Sequence, residues 1–260
     1  MRIVRLLVVV GCLCCGAACN GPLTPEAEKL LESGRLAYKQ GDDNGAVRKM
    51  DLFLKDWAKS RQADEAYYYR GLAKYRTHNL PGAREDLQAA LDRTRRKAVR
   101  VGAMVALGDL ADDTDDTAAA EKVYLDVLKD IDRDKKPADH VCYRLGCTLQ
   151  RQGRWKDADA YFDKVIYLFN GTELAGRAQQ HVRCKAWTIQ AGAFEAKPRA
   201  DAAAAALRRE GLDASSQPAL RDGKPVFLVN VGRYPTFRQA AADLSKVRRH
   251  CNDAFVTTTR

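Results

Sequence analysis

Between residues 26 and 170 the apolar positions recur with helical spacing, and the helical pattern itself repeats. Ala158, Tyr161, Phe162, Val165, Ile166 and Phe169 fall three or four apart, on one face of a helix. Polar stretches such as GDDNG (Gly41 to Gly45) and RQGR (Arg151 to Arg154) break that spacing and predict turns. Gly34, Gly71 and Gly108 are spaced by 37 residues, and Gly146 follows after 38. Twelve residues after each comes an alanine: Ala46, Ala83, Ala120 and Ala158. Four further on stand Met50, Leu87, Tyr124 and Phe162, and four beyond those Leu54, Leu91, Leu128 and Ile166. A period of this length predicts a stack of helix pairs, four in all, closed by a capping helix over about Glu173 to Cys184. A glycine inside a helix costs up to about 1 kcal/mol against alanine. Its return at one station therefore predicts a close approach of two helices.

After Cys184 the period shortens to two. Trp187, Ile189 and Ala191 alternate with Thr188, Gln190 and Gly192, and Phe227, Val229 and Val231 alternate with Val226, Leu228 and Asn230, as in half-buried strands. One template is written twice, forty residues apart, with Gln190/Asn230, Gly192/Gly232, Phe194/Tyr234, Ala200/Ala240 and Leu207/Val247 in register. Each copy predicts a strand, a glycine-containing turn, a helix and a second strand. The second strands fall over Leu212 to Gln217 and Ala254 to Thr258, and the second helix carries the apolar stripe Phe237, Ala240, Ala241, Leu244 and Val247. Neither half can bury its own apolar face, so two related halves close one core. The predicted fold is an α-helical solenoid of four helix-pair repeats plus a capping helix, followed by a small α+β domain. That domain has the order βαββαβ, a four-stranded antiparallel sheet with two helices on one face. If the helices cover Ile189, Ala191, Val229 and Val231, the open face presents Thr188, Gln190, Leu228 and Asn230.

The amino terminus changes where this fold is expected. Arg2 and Arg5 precede an apolar run from Leu6 that ends in small residues, a secretory signal too short to span a bilayer. Gly16, Ala17 and Ala18 before Cys19 resemble a bacterial lipoprotein cleavage site, which implies a lipidated Cys19. Val9-Val10-Gly11-Cys12 offers an alternative, and an uncleaved anchor or plain export signal a third. The expected organisation is a signal peptide over 1–19, a linker over 20–25, the repeats over 26–183 and the terminal domain over 184–260. All versions put the folded part outside the cytoplasm, with a membrane-anchored lipoprotein facing the periplasm from the outer membrane as the preferred one. Export permits disulfides. Cys142 and Cys147, five apart on one helix, turn away from each other and read as buried thiols, while a bridge between Cys184 and Cys251 stays open.

The net charge of +10 is partly concentrated in the tail, where 13 basic and 7 acidic side chains follow Cys184. Nucleic acid is not the expected partner, because an exported chain seldom meets it and Trp187 and Phe227 lie on the predicted core face rather than on an open stacking platform. His78, His140, His181 and His250 are scattered and suggest no nucleophile and base. His181-x-x-Cys184 offers two ligands where a zinc site needs three or four. The acidic run Ala111 to Thr117 lacks the length and glycine of a calcium loop and predicts a turn that caps the next helix.

The Gly and Ala stations resemble the tetratricopeptide repeat family, with its small residue in the first helix and Ala in the second, over residues 26 to 170. The units run longer than the family's usual 34 residues and lack its Pro at unit ends and its early Trp. The resemblance implies an envelope protein partner held against the first helices, at positions that map to Arg35, Tyr38, Tyr68, Tyr75 and Tyr143. Alternatively, several of these tyrosines fill space between repeats. The pattern aromatic-x-Ile-Gln-x-Gly-x-Phe from Trp187, a helix, then Phe-x-Val-x-Val-Gly-x-Tyr from Phe227 resembles the sporulation-related repeat (SPOR) domain of bacterial envelope proteins, over about residues 185 to 260. That resemblance implies binding of peptidoglycan, preferentially of glycan strands denuded of stem peptides, at Thr188, Gln190, Leu228 and Asn230. Ala193 stands where the family often has Ser, and Leu228 where a basic residue is frequent. The expectation is a non-enzymatic scaffold without cofactor or metal, acting in cell division or wall remodelling. The alternative is an assembly or enzyme-accessory factor whose terminal domain binds protein.

Overall fold

A computed structural model describes residues 22–221 and 223–259; the signal segment with Cys12 and Cys19 lies outside them. The chain forms two compact units that divide between Val99 and Arg100. The first holds α1 (Pro25–Lys39), α2 (Asp43–Trp57), α3 (Ala63–Arg76) and α4 (Leu80–Arg93). At the boundary begins α5 (Lys97–Asp113), and the second unit continues with α6 (Thr117–Asp130), α7 (Ala138–Arg151), α8 (Trp155–Leu168) and the capping helix α9 (Glu173–His181). The terminal sheet and its helices belong to this second unit.

Each glycine station has the same cause. A Cβ on Gly34, Gly71, Gly108 or Gly146 would lie 2.7, 2.9, 2.7 or 2.7 Å from Met50, Leu87, Tyr124 or Phe162, the large side chain sixteen residues on. The glycine is the floor on which that side chain rests, and overpacking there strains a close-packed interior. Ala46, Ala83, Ala120 and Ala158 are fully buried beside it.

The period extends into the turns. Gly41, His78, Asp115 and Gly153 all adopt left-handed φ, at 84°, 60°, 62° and 83°. The next residue caps the following helix, since Asp42, Asn79 and Asp116 accept from the N–H three residues on at 2.8, 3.1 and 3.1 Å. At the fourth station Arg154 makes no such cap and instead pairs with Glu121 and Asp157.

The terminal domain runs β1 (Ala186–Phe194), α10 (Lys197–Arg209), β2 (Ala214–Arg221), β3 (Lys224–Tyr234), α11 (Phe237–Arg248) and β4 (Phe255–Thr259). Its sheet order is β2-β3-β1-β4 with every neighbouring pair antiparallel. Ala200, Ala204 and Leu207 of α10 and Val247 of α11 pack with Ile189, Val229 and Val231, so both helices cover one face. Ala241, expected in the stripe of α11, is exposed, because the helix buries only Ala240 and Val247, with Leu244 half-buried.

The four cysteines of the repeats and terminal domain are free, so Cys184 and Cys251 form no bridge; the Cys184 thiol instead meets Thr258 Oγ1 at 3.4 Å. Burial raises the pKa of the Cys142 thiol and pushes that of Cys147 up to about 11, which disfavours the thiolate at both. Among the described residues no helix is long and apolar enough to cross a membrane.

Candidate functional site

With both helices on one side, the alternation of the strands leaves a polar face on the other. The registers put Ser215 opposite Asn230, Asn230 opposite Gln190 and Gln190 opposite Phe255. These four stand in one row across all four strands, a span of about 14 Å at ordinary strand spacing. Gln217 lies beside Leu228 in the next row of β2 and β3. A hollow of about 210 Å³ opens along this face, lined by Thr188, Asp213, Ser215, Gln217, Asn230 and Thr259 among others. Phe255 is 47% exposed at the end of the row, a flat apolar surface next to two amides.

The four residues expected from sequence differ in depth on this face. Gln190 and Leu228 are half-exposed, but Thr188 is only 2% and Asn230 only 9% exposed. Thr188 donates its hydroxyl to Gly232 O at 2.8 Å, with Val231 O at 3.2 Å, and forms the floor of the face rather than its surface. It sits on a central strand, flanked by β3 and β4. Alternation gives the side of a residue, not its depth. Asn230 Oδ1 is buried without any hydrogen-bond partner. Ser215, Gln217, Phe255 and Thr259 were missed by sequence reading, because the pairing of β2 and β4 with the core strands is set by register alone.

The repeated Gly-x-aromatic motif belongs to the opposite, helix-covered side, where Phe194 and Tyr234 pack against the core. A Cβ on Gly192 would meet the Phe194 ring at 2.9 Å, and one on Gly232, at φ 68°, would meet the Tyr234 ring at 2.5 Å. Each ring lies across the glycine two residues before it. At Gly232 the backbone also takes a conformation that other residues rarely adopt, where the register shifts between Trp187 and Ile189.

Trp187 does not enter the domain's own core. Its ring packs on Trp155 of α8 and Phe237 of α11, with centroids 5.8 and 5.2 Å apart, and its indole Nε1 donates to Gln150 O. The Arg151 guanidinium lies 4.8 Å over the Phe237 ring, and Arg238 pairs with Asp115 at 3.2 Å. The terminal domain is thereby fixed to the last repeats, with the open face left clear of both domain helices.

The residues expected to hold a protein partner divide between the units. In the first, Tyr38 and Tyr68 flank Tyr69, with ring centroids 5.6 and 5.2 Å away, and the Arg76 guanidinium lies 4.8 Å over Tyr38. Burial pushes the Tyr68 hydroxyl up to about 12. Arg35 pairs with Glu32, and Tyr75 is half-buried on the same helix as Tyr68. Tyr143 belongs to the second unit, where it packs edge-on against Phe162 and His181, each at 6.0 Å. Among the described residues no three His, Cys, Asp or Glu side chains converge as a metal site.

Residues 185–258 match the SPOR domain family, and residues 141–168, which contain most of α7 and all of α8, match the tetratricopeptide repeat. No curated protein matches the chain. Similar solved structures include a crystal structure of MamA protein, at TM-score 0.50 and 19% identity over 60% of this chain and 78% of that one. Another crystal structure of MamA is similar at TM-score 0.47 and 22% identity over 59% and 81%. At such identities the likeness concerns the fold alone. A SPOR domain is a peptidoglycan-binding module and a tetratricopeptide repeat a protein-interaction module, and together they support a scaffold role. The chain carries a SPOR domain over residues 185–258 and a tetratricopeptide-like repeat over residues 141–168.

Proposed function

We propose that this protein is a non-enzymatic scaffold of the bacterial envelope that holds glycan strands on its open sheet and a protein partner on its repeats. The observation that carries this reading is the uncovered row Ser215–Asn230–Gln190–Phe255 within the SPOR match, with the unpartnered acceptor of Asn230 at its centre. A buried acceptor without a donor costs about 1–3 kcal/mol. A sugar hydroxyl or acetamido N–H supplies that donor. Gln190 both donates and accepts, and the Phe255 ring and the Leu228 side chain give a pyranose an apolar surface. The preferred ligand is the denuded strand, and the acting place the periplasm, with Cys19 as the lipid anchor in the outer membrane and the septum or a site of wall remodelling as the station.

The test is cosedimentation of the chain from residue 20 onward with purified sacculi, before and after amidase treatment. Pelleting that rises after stem peptides are removed, and that is lost with Gln190→Ala, supports the glycan reading. Pelleting unaffected by both would refute it. One feature favours protein as the ligand of the sheet instead: Ala193, Leu228 and Phe255 make part of the face apolar. Retention of an envelope protein by the sheet, sensitive to Phe255→Ser and insensitive to sacculi, would support that second reading.

A further inference from the structure

A hollow in the first unit, far in sequence from the sheet, gathers arginines from two turns. Arg61 comes from the α2–α3 turn, and Arg93, Arg95 and Arg96 from the end of α4 and the turn that follows. They line a concavity of about 620 Å³ together with Asp64. Asp64 is 3% exposed and already satisfied: it accepts from Thr94 Oγ1 at 2.6 Å and pairs with Arg96, which also reaches Glu65 at 2.7 Å. Arg93 lies 5.1 Å over the Tyr67 ring. Arg61 and Arg95 are exposed and, among the described residues, have neither an acid nor a hydrogen-bond partner.

Four like charges in one concavity repel, and its one lining acid neutralises a single guanidinium. Each remaining guanidinium offers a planar fork of donors that matches the oxygens of a phosphate. The first unit also sets which way the hollow faces. Its helices are joined by short turns and run antiparallel, so the start of α1, the α2–α3 turn and the α4–α5 turn share one edge. Leu23, just before α1, packs on the same apolar cluster as Trp57, the last residue of α2, and Ala58 of the α2–α3 turn. The chain therefore reaches the arginine edge only a few residues after position 19.

We propose that the hollow bounded by Arg61, Arg93 and Arg95 binds the phosphate of an anionic lipid headgroup, and so lays this edge of the repeats on a membrane surface. The lipid as source of the phosphate rests on the anchored reading of Cys19; the arginine site and the glycan site do not depend on each other.

The test uses the chain from residue 20 onward, which keeps every described element and carries no acyl group. It is pelleted with vesicles of phosphatidylglycerol in phosphatidylcholine, with phosphatidylcholine alone as control. Binding to the anionic vesicles, abolished by raised salt and weakened about thirtyfold by Arg61→Ser with Arg95→Ser, is the expected result. The double variant leaves Arg93 and Arg96 in their structural contacts, so its helical circular dichroism and urea midpoint report whether it is folded and are expected unchanged. Absence of anionic-vesicle binding, or equal binding by the variant, overturns the proposal. Calorimetric binding of pyrophosphate without vesicle binding overturns the lipid source. Displacement of the vesicles by poly-glutamate but not by pyrophosphate at matched ionic strength overturns it in favour of an acidic protein.

Discussion

The indole Nε1 of Trp187 donates to the backbone carbonyl of Gln150 at 2.9 Å, joining the first strand of the SPOR domain to the last turn of α7. The aromatic position that opens the SPOR pattern thus serves the contact with the repeats. Its ring is held between Trp155 and Phe237, so the hydrogen bond is shielded from water.

Trp187→Phe keeps an aromatic ring and removes the donor, leaving the Gln150 carbonyl unsatisfied. The expected loss of stability is about 1–3 kcal/mol, read as a lower urea midpoint. The glycan row lies on the opposite face of the sheet from Phe237 and is expected to retain its affinity for sacculi.

Gly153 reports on the same junction through the backbone. Its φ of 83° disfavours any Cβ, and a Cβ there would stand 2.8 Å from Pro235 O of the SPOR domain. Gly171 has a similar φ of 80° with nothing within 4 Å. Gly171→Ala is therefore expected to cost only the backbone term, about 1–2 kcal/mol. Gly153→Ala is expected to cost more and to red-shift the fluorescence of Trp155 and Trp187 as the domain is pushed from the repeats. Equal costs for the two variants would remove the junction from the account of Gly153.

Asn230→Ala separates stability from binding. Removing a buried acceptor that has no partner is expected to leave the unfolding free energy unchanged or to raise it by up to about 1 kcal/mol, while weakening sedimentation with denuded sacculi. A variant that loses stability and keeps glycan binding would assign Asn230 to the fold alone.

Acid sensitivity is expected from His181. Its Nδ1 lies 3.1 Å from Gln150 Oε1, Gln150 Nε2 donates to His181 O at 2.8 Å, and the ring stacks on Phe162. Burial lowers its pKa below the ordinary value. Above about pH 6.5 the imidazole is neutral in both folded and unfolded chains and the contribution is complete. As the pH falls from there through the lowered folded value, the unfolded chain takes up the proton first and stability is lost. Urea midpoints measured from pH 7.5 downward are expected to fall in that window, and to fall less for His181→Asn.

The repeats, the doubled terminal unit and their order are all legible along the chain. Gly34, Gly71, Gly108 and Gly146 return because one packing problem, a large side chain sixteen residues on, is solved four times, and any solution repeated in space is written as a period in the chain. Ile189 with Val231 and Gln190 with Asn230 likewise declare two faces of a strand, since alternation is a local property of the backbone. The remaining features depend on partners distant in sequence. Thr188 and Asn230 sink to the floor because neighbouring strands rise on both sides of them, and Phe255 becomes the end of their row through the pairing of β4 with β1. Trp187 is turned to Gln150, and Arg61 is brought to Arg95, by contacts between segments that no periodicity links. A pattern along the chain records what each segment must bury; which segment it is buried against is fixed only when the whole fold closes.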